Sequence, residues 1–218
     1  MQQQVLHSLN NHDFWLTNSR CIYWQQQNAI IVSDLHFGKT GHFRKNGIGV
    51  PQSIFKEDLQ RLISAISHFK PQQLIAVGDL FHSHANKEME LFSKWRKDFS
   101  QLTFHLIKGN HDILKDDWYS ENSITLYQED MIIDGFSFIH DPTSDQLRTS
   151  SNYIFSGHVH PGVSLKVGNR QSLGFPCFHF GKSMAVLPAF SRFTGIRTMK
   201  VNATDHAYAI VNQSIIKV

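Results

Sequence analysis

The sequence predicts an α/β fold in which two packed mixed β-sheets are flanked by helices. Three observations carry that expectation. Short apolar, strand-like runs recur from one end of the chain to the other. Two amphipathic helix patterns lie between the third and fifth of these runs, and the C-terminal third holds mostly strands and turns.

The runs are, in order, "FWLT", "CIYW", "AIIVSD", "LIAVGD", "TFHLIKGN", "SITLYQ", "MIIDGFSFIHD", "NYIFSGHVH", "VSLKV", "CFHFG", "AYAIV" and "SIIKV". The first helix pattern, "PQSIFKEDLQRLISAISHF", opens with Pro51 at a tolerated first position. It spaces Ile54, Leu59, Leu62, Ile63 and Ile66 as one apolar stripe. The second, "NKEMELFSKWRKDF", does the same with Met89, Phe92, Trp95 and Phe99 after Asn86 as N-cap. Strand, helix, strand, helix, strand implies parallel strands joined by crossover helices. No repeat, low-complexity tract or Pro/Gly/Ser linker interrupts the chain, so residues 1–218 are read as one domain.

At 218 residues and 41% hydrophobic, the chain can bury a sizeable core without a staple. Its two cysteines, Cys21 and Cys177, are too few for a disulfide framework or a CxxC zinc site, which favours a reducing, cytoplasmic address. The N-terminus lacks the pattern of a signal peptide. No run approaches the roughly 20 apolar residues that span a bilayer, so no membrane is expected. A net charge of +3 is no evidence of nucleic-acid binding by itself. Fourteen histidines are unusual, and imidazole is both a metal ligand and an acid or base near neutral pH.

Five apolar runs end in a polar cluster. "AIIV" leads to Asp34 and His36, "LIAVG" to Asp79, "FHLIKG" to Asn110, His111 and Asp112, "FSFI" to His140, and "YIFSG" to His158 and His160. Strand C-termini of α/β sheets converge on one crevice, so these groups can meet. They offer hard oxygen ligands and imidazoles with no thiolate, which suits Mn²⁺, Fe²⁺ or Zn²⁺. Gly78, Gly109 and Gly157 each precede the first polar residue of a cluster, where close backbone approach needs no Cβ. Singly, each cluster has a plainer reading as a turn, a cap or a surface His pair; jointly they read as a metal site.

The ordered set Asp34-Leu-His36, Gly78-Asp79, Gly109-Asn110-His111-Asp112, His140 and Gly157-His158-Val-His160 resembles the calcineurin-like metallophosphoesterase superfamily. "HFGKTGHFRKNGIGVP", "GDLFHSH", "PCF" and "LPAFSRFTG" further resemble the bacterial ligase-associated DNA damage response endonucleases, the PdeM-type phosphoesterases. The resemblance implies a calcineurin-like sandwich that binds two divalent metal ions, Mn²⁺ foremost, with Zn²⁺ or Fe²⁺ as alternatives. Asp34, His36, Asp79 and His160 would hold the first; Asp79, Asn110, His140 and His158 the second, with Asp79 bridging. A bridging hydroxide would attack the phosphorus in line, His111 would stabilise or protonate the leaving oxygen, and Asp112 would orient His111. Asp141, after His140, departs from the small residue of many relatives and would add a ligand or cap a turn.

The activity so implied is phosphodiester hydrolysis, as a nuclease acting on DNA in repair, with DNA ligase or helicase partners. The alternatives are a small-molecule phosphomonoesterase or nucleotide phosphodiesterase, and a silent protein-binding module. Lys39, His42, Arg44 and Lys45 could track a polyanionic backbone or form a solvated loop, and His82 and His84 could line the cleft. "FGKS" at 180–183 is no P-loop, because position 176 is Pro. His7, His12, His68, His105, His179 and His206 read as surface or satisfied core residues, and "PCFHF" and "LPAF" as core or dimer surface.

Overall fold

The computed structural model describes residues 3–39, 53–82, 87–143, 153–167 and 171–218. Strands β1 (Gln4–Leu9), β2 (His12–Thr17) and β3 (Ile22–Trp24) form an antiparallel meander leading to β4 (Ala29–Val32). From β4 the pairing turns parallel through β5 (Gln73–Val77), β6 (Thr103–Ile107) and β7 (Ile124–Tyr127), giving a seven-stranded sheet in sequence order. Helices α1 (Ser53–Phe69), α2 (Lys87–Asp98) and α3 (Asp116–Glu121) lie on the three crossovers.

The second sheet contains β8 (Asp130–Ile133), β9 (Phe136–Ile139), β10 (Tyr153–Ser156), β11 (Pro161–Val167), β12 (Gln171–Phe180), β13 (Met184–Val186) and β14 (Arg197–Thr198). Its order is β14-β11-β12-β13-β10-β9-β8, with β15 (His206–Val211) paired to β12 and β16 (Ser214–Lys217) to β15. β8 and β9 are joined by Asp134-Gly135, both at positive φ (48° and 79°), the backbone a tight hairpin turn demands. β9, β10 and β13 run parallel, so two more strand C-termini point the same way.

The central strands read as continuous apolar runs because both their faces are covered. Ile30, Val32, Leu74, Ala76, Phe104 and Leu106 pack under the helices with Leu62, Ile66, Phe92 and Trp95. The alternate residues Ala29, Ile31, Ile75, Val77 and Ile107 meet Phe136, Phe138, Phe155, Phe178 and Phe180 of the second sheet. The expected α/β sandwich is therefore what forms. The helix stripes face as expected, with Leu62, Ile66, Met89, Phe92 and Trp95 buried. Pro51 and Asn86 lie outside the described residues.

Four elements fall outside the runs that the sequence analysis picked out. β1 is an edge strand with a weakly alternating face, β13 and β14 are only three and two residues long, and α3 buries Tyr119 alone. None has a periodic apolar signature of useful length. "PCFHF" and "LPAF" supply Cys177, Phe178, Phe180, Leu187 and Phe190 to the interior, so they are core. The peripheral histidines find local partners: His7 sits 3.0 Å from the Tyr208 hydroxyl, and His12 accepts from Trp24 Nε1 at 2.9 Å.

Two outcomes follow from this packing. Phe155 stacks on Phe138 at 5.4 Å between the sheets, and Phe155→Ala is expected to lower unfolding free energy by about 3–5 kcal/mol in urea titrations. Burial, then His206 and Lys217, holds the His7 imidazole at about 4 instead of 6.5. The unfolded chain therefore binds the extra proton, and this contribution to stability is full above pH 6.5 and lost as pH falls towards 4. His7→Gln should flatten that part of the stability–pH curve; an unchanged slope would assign the acid loss to other groups.

Candidate metal centre

The C-termini of β4, β5 and β6 in the first sheet and of β9 and β10 in the second open on one crevice, and the polar clusters follow directly. Asp34 N donates to the Gly78 carbonyl at 3.1 Å and His36 N to the Asp79 carbonyl at 2.9 Å, extending the β4–β5 pairing past the strands. Gly157 N donates to the His140 carbonyl at 3.1 Å, which does the same for the second sheet.

Two donor groups result. In the first, Asp34 Oδ1 lies 3.2 Å from His160 Nε2 and 4.0 Å from His36 Nε2, and the two imidazole nitrogens are 3.4 Å apart. In the second, His140 Nε2 lies 3.4 Å from Asp79 Oδ1, 3.3 Å from His158 Nδ1 and 3.2 Å from Asn110 Oδ1. Asp79 faces both, because its other oxygen, Oδ2, is 3.9 Å from His36 Nε2. Donor atoms 3–4 Å apart around a common point are what ligands at about 2.0–2.2 Å from one cation require. The residues present fit divalent metal ions: oxygen and imidazole donors, no thiolate, two groups, one shared carboxylate.

Supporting bonds orient the donors. His140 Nδ1 donates to the Val77 carbonyl at 3.2 Å, which turns Nε2 towards the group. Asp34 Oδ2 accepts from the Ser33 hydroxyl and from His158 N, so Oδ1 faces His160. Asp79 Oδ1 also accepts from His111 N at 2.9 Å. Burial pushes the Asp79 carboxyl up, but the hydrogen bond and charge of His140, with His111 N–H and His36, outweigh it and hold the group at about 2. Asp79 is an anion at neutral pH, the form in which a carboxylate can hold a cation. Burial lowers the His36 imidazole to about 3, against the pull of Asp34 and Asp79, so it is neutral with a free lone pair.

The backbone here is unusual. Asp34, His36, Asp79, His158 and His160 all have φ between 49° and 65°, in the left-handed region that non-glycine residues rarely adopt. The glycines make room for this. A Cβ on Gly78 would overlap the His140 imidazole, one on Gly109 the Asp79 carboxylate, and one on Gly157 the Ser33 hydroxyl and Asp34 carboxylate.

The remaining expected residues divide. His111 sits at the rim, its ring 4.2 Å from that of His82 and 5.6 Å from that of His36, centroid to centroid. Asp112, expected to orient the His111 ring, makes its observed hydrogen bonds to backbone amides. It is 1% exposed, and its two oxygens accept from Phe81 N at 3.1 Å and Gly109 N at 2.9 Å. A carboxylate committed to those two amides ties the loop after β6 to the loop after β5; its burial raises it to about 7 despite both bonds. Asp141 Oδ1 accepts from Thr143 N and Oγ1 at 2.8 and 2.7 Å, so it caps a turn. Lys39 is half-buried and sits in the field of Asp79 and Asp34. His42, Arg44, Lys45 and His84 lie outside the described residues. The geometry also shows Ser33 orienting Asp34, a role that a serine before D-x-H does not announce by spacing.

Gly109→Ala is expected to weaken Mn²⁺ binding at least about tenfold, because the methyl displaces the shared carboxylate. Calorimetric titration of metal-stripped protein checks this, and unchanged affinity would mean that the Asp79 side chain is free to move aside.

A family model of calcineurin-like phosphoesterases matches residues 28–145, more than half of the chain. The match ends before His158 and His160, which only the fold brings to the site. Among solved structures, the chain is similar to the Pseudomonas putida nuclease MPE, at 26% identity and a TM-score of 0.82 over 100% of both chains. It is also similar to Yfce, a phosphoesterase from E. coli, at 12% identity and a TM-score of 0.48, covering 87% of this chain and 97% of that one. No curated protein matches the chain. With that match, the sandwich and the paired donor groups, the chain belongs to the calcineurin-like phosphoesterases, metal-dependent hydrolases of phosphoric esters.

Proposed function

We propose that the chain is a phosphodiesterase that binds two divalent metal ions, Mn²⁺ foremost, and cleaves nucleic acid, with DNA in repair as its setting. The observation that carries this reading is the Asp79 carboxylate, one oxygen towards His36 and the other towards His140, between two groups of donors. Cations held there supply charge for the phosphoryl oxygens and make water a nucleophile at neutral pH. Asp34, His36, Asp79 and His160 hold one, and Asp79, Asn110, His140 and His158 the other. His111, at the rim and packed against His82, donates a proton to the departing oxygen. Lys39 and His82 border the same mouth, where a phosphate chain enters.

Full-length similarity to a protein described as a nuclease supports a diester over a monoester. The DNA repair setting, and a DNA ligase or helicase as partner, rest on the narrower resemblance of "HFGKTGHFRKNGIGVP" and "LPAFSRFTG". Both cysteines are free and buried, which fits a reducing, cytoplasmic compartment. No helix among the described residues is long and apolar enough to cross a membrane.

The test pairs substrates with variants. Metal-stripped protein is reloaded with Mn²⁺, Zn²⁺ or Mg²⁺ and given a nitrophenyl diester, a nitrophenyl monoester, and single- and double-stranded DNA. Asp79→Asn is expected to abolish all turnover. His111→Ala is expected to slow DNA cleavage about 10²–10⁴-fold with metal content unchanged, the range a general acid supplies. Turnover of the monoester alone would make the protein a phosphomonoesterase, and none with any metal would favour a silent binding module.

A further inference from the structure

The segment "LPAFS", residues 187–191, belongs to neither sheet's strands, yet it touches both halves of the metal centre through its backbone. Leu187 N donates to the Ser156 carbonyl at 2.8 Å, at the end of β10 and just before Gly157-His158. Phe190 N donates to the Ser33 carbonyl at 2.7 Å and Ser191 N to the Asp34 carbonyl at 3.2 Å, just beyond β4. Five residues thus join the strand end that carries Asp34 and His36 to the one that leads to His160. Those three residues form the first donor group, and they come from different sheets.

Three consecutive carbonyls of this segment are held by two largely buried guanidinium groups. Arg20, in the turn between β2 and β3, donates through Nη1 to the carbonyls of Ala189 at 3.2 Å and Ser191 at 2.8 Å. Arg61, on α1, donates through Nη2 to the Phe190 carbonyl and to Asp58 Oδ1 at 2.9 Å, with its guanidinium 4.2 Å over the Phe190 ring. Asp58, 2% exposed, also accepts from the Ser191 hydroxyl and Arg192 N. Asp58 and Ser191 line a small cavity together with Leu35, His36 and Lys39. Burying two guanidinium groups and a carboxylate is costly unless each is well paired. Their hydrogen bonds run to this segment and its neighbour Arg192, and between Arg61 and Asp58.

We infer that Arg20, Arg61 and Asp58 are positioning residues for the first donor group: by fixing the carbonyls of residues 189–191 they fix Asp34 and His36 relative to His160 across the two sheets. This rests on the two-cation reading of the site for its metal readout, but not for its backbone readout. The second donor group has a different support, the amides of His111, Gly109 and Phe81 acting on Asp79 and Asp112.

The test uses the full chain and Arg61→Met, with Arg61→Lys as the conservative variant and Arg20→Gln as an independent one should Arg61→Met fold poorly. In metal-free protein, amides of residues 33–36, 187 and 189–191 should exchange with deuterium at least about tenfold faster in Arg61→Met and Arg20→Gln, with residues 107–112 unchanged. Mn²⁺ titration should show one equivalent retained and the other weakened about tenfold, with the paramagnetic resonance of a coupled pair giving way to that of a single ion. Arg61→Lys should regain most of both. Unchanged exchange at 33–36, or equal weakening of both equivalents, would overturn the inference by making the cluster a general element of the scaffold. A wild-type chain that binds only one equivalent would refute the two-cation reading, and the exchange experiment would still decide the inference.

Discussion

The Asp79 carboxylate is the constraint on which the rest of the centre depends. One oxygen faces His36 of the first group, and the other faces His140 of the second and accepts from His111 N. To put one small anion in contact with both groups, β4, β5, β6, β9 and β10 must end at the same level on two facing sheets. That condition explains why the molecule is a sandwich with parallel strands at the centre of each sheet. It also explains why Gly109 cannot carry a side chain, since a methyl there would occupy the carboxylate's position.

Holding such a site has a conformational cost. Five of the seven donor residues have left-handed backbone, each conformation costing of order 1–3 kcal/mol. The cost is met by rigidity nearby. Val77 and Ile107 are fully buried between the sheets, Ser33 and Asp112 are buried polar groups with hydrogen-bond partners, and the guanidinium cluster clamps residues 189–191.

The two supports are chemically different. The second donor group is braced by backbone amides on the carboxylates of Asp79 and Asp112, from positions up to 32 residues away. The first is braced by charged side chains acting on carbonyls of a segment about 155 residues further along the chain than Asp34. The rim carries yet another kind of contact, the tilted packing of His82 on His111.

The sequence by itself determined the fold class and singled out the candidate donors. Buried parallel strands must be apolar along their whole length, so "AIIV", "LIAV" and "FHLI" announce themselves, and the polar residues that interrupt them stand out. The Asp-x-His and Gly-His-x-His spacings made Asp34, His36, His158 and His160 legible for the same reason. Which donors lie together was implied only through the family resemblance and cannot be read from the residues themselves, because Asp34 and His160 are distant in sequence and meet only when the sheets pack. Tertiary structure also decided which amides Asp112 accepts from, those of Phe81 and Gly109. The roles of Arg20, Asp58 and Arg61 were likewise invisible in sequence: a buried guanidinium on a helix looks like any surface arginine until its carbonyl partners come from elsewhere in the chain.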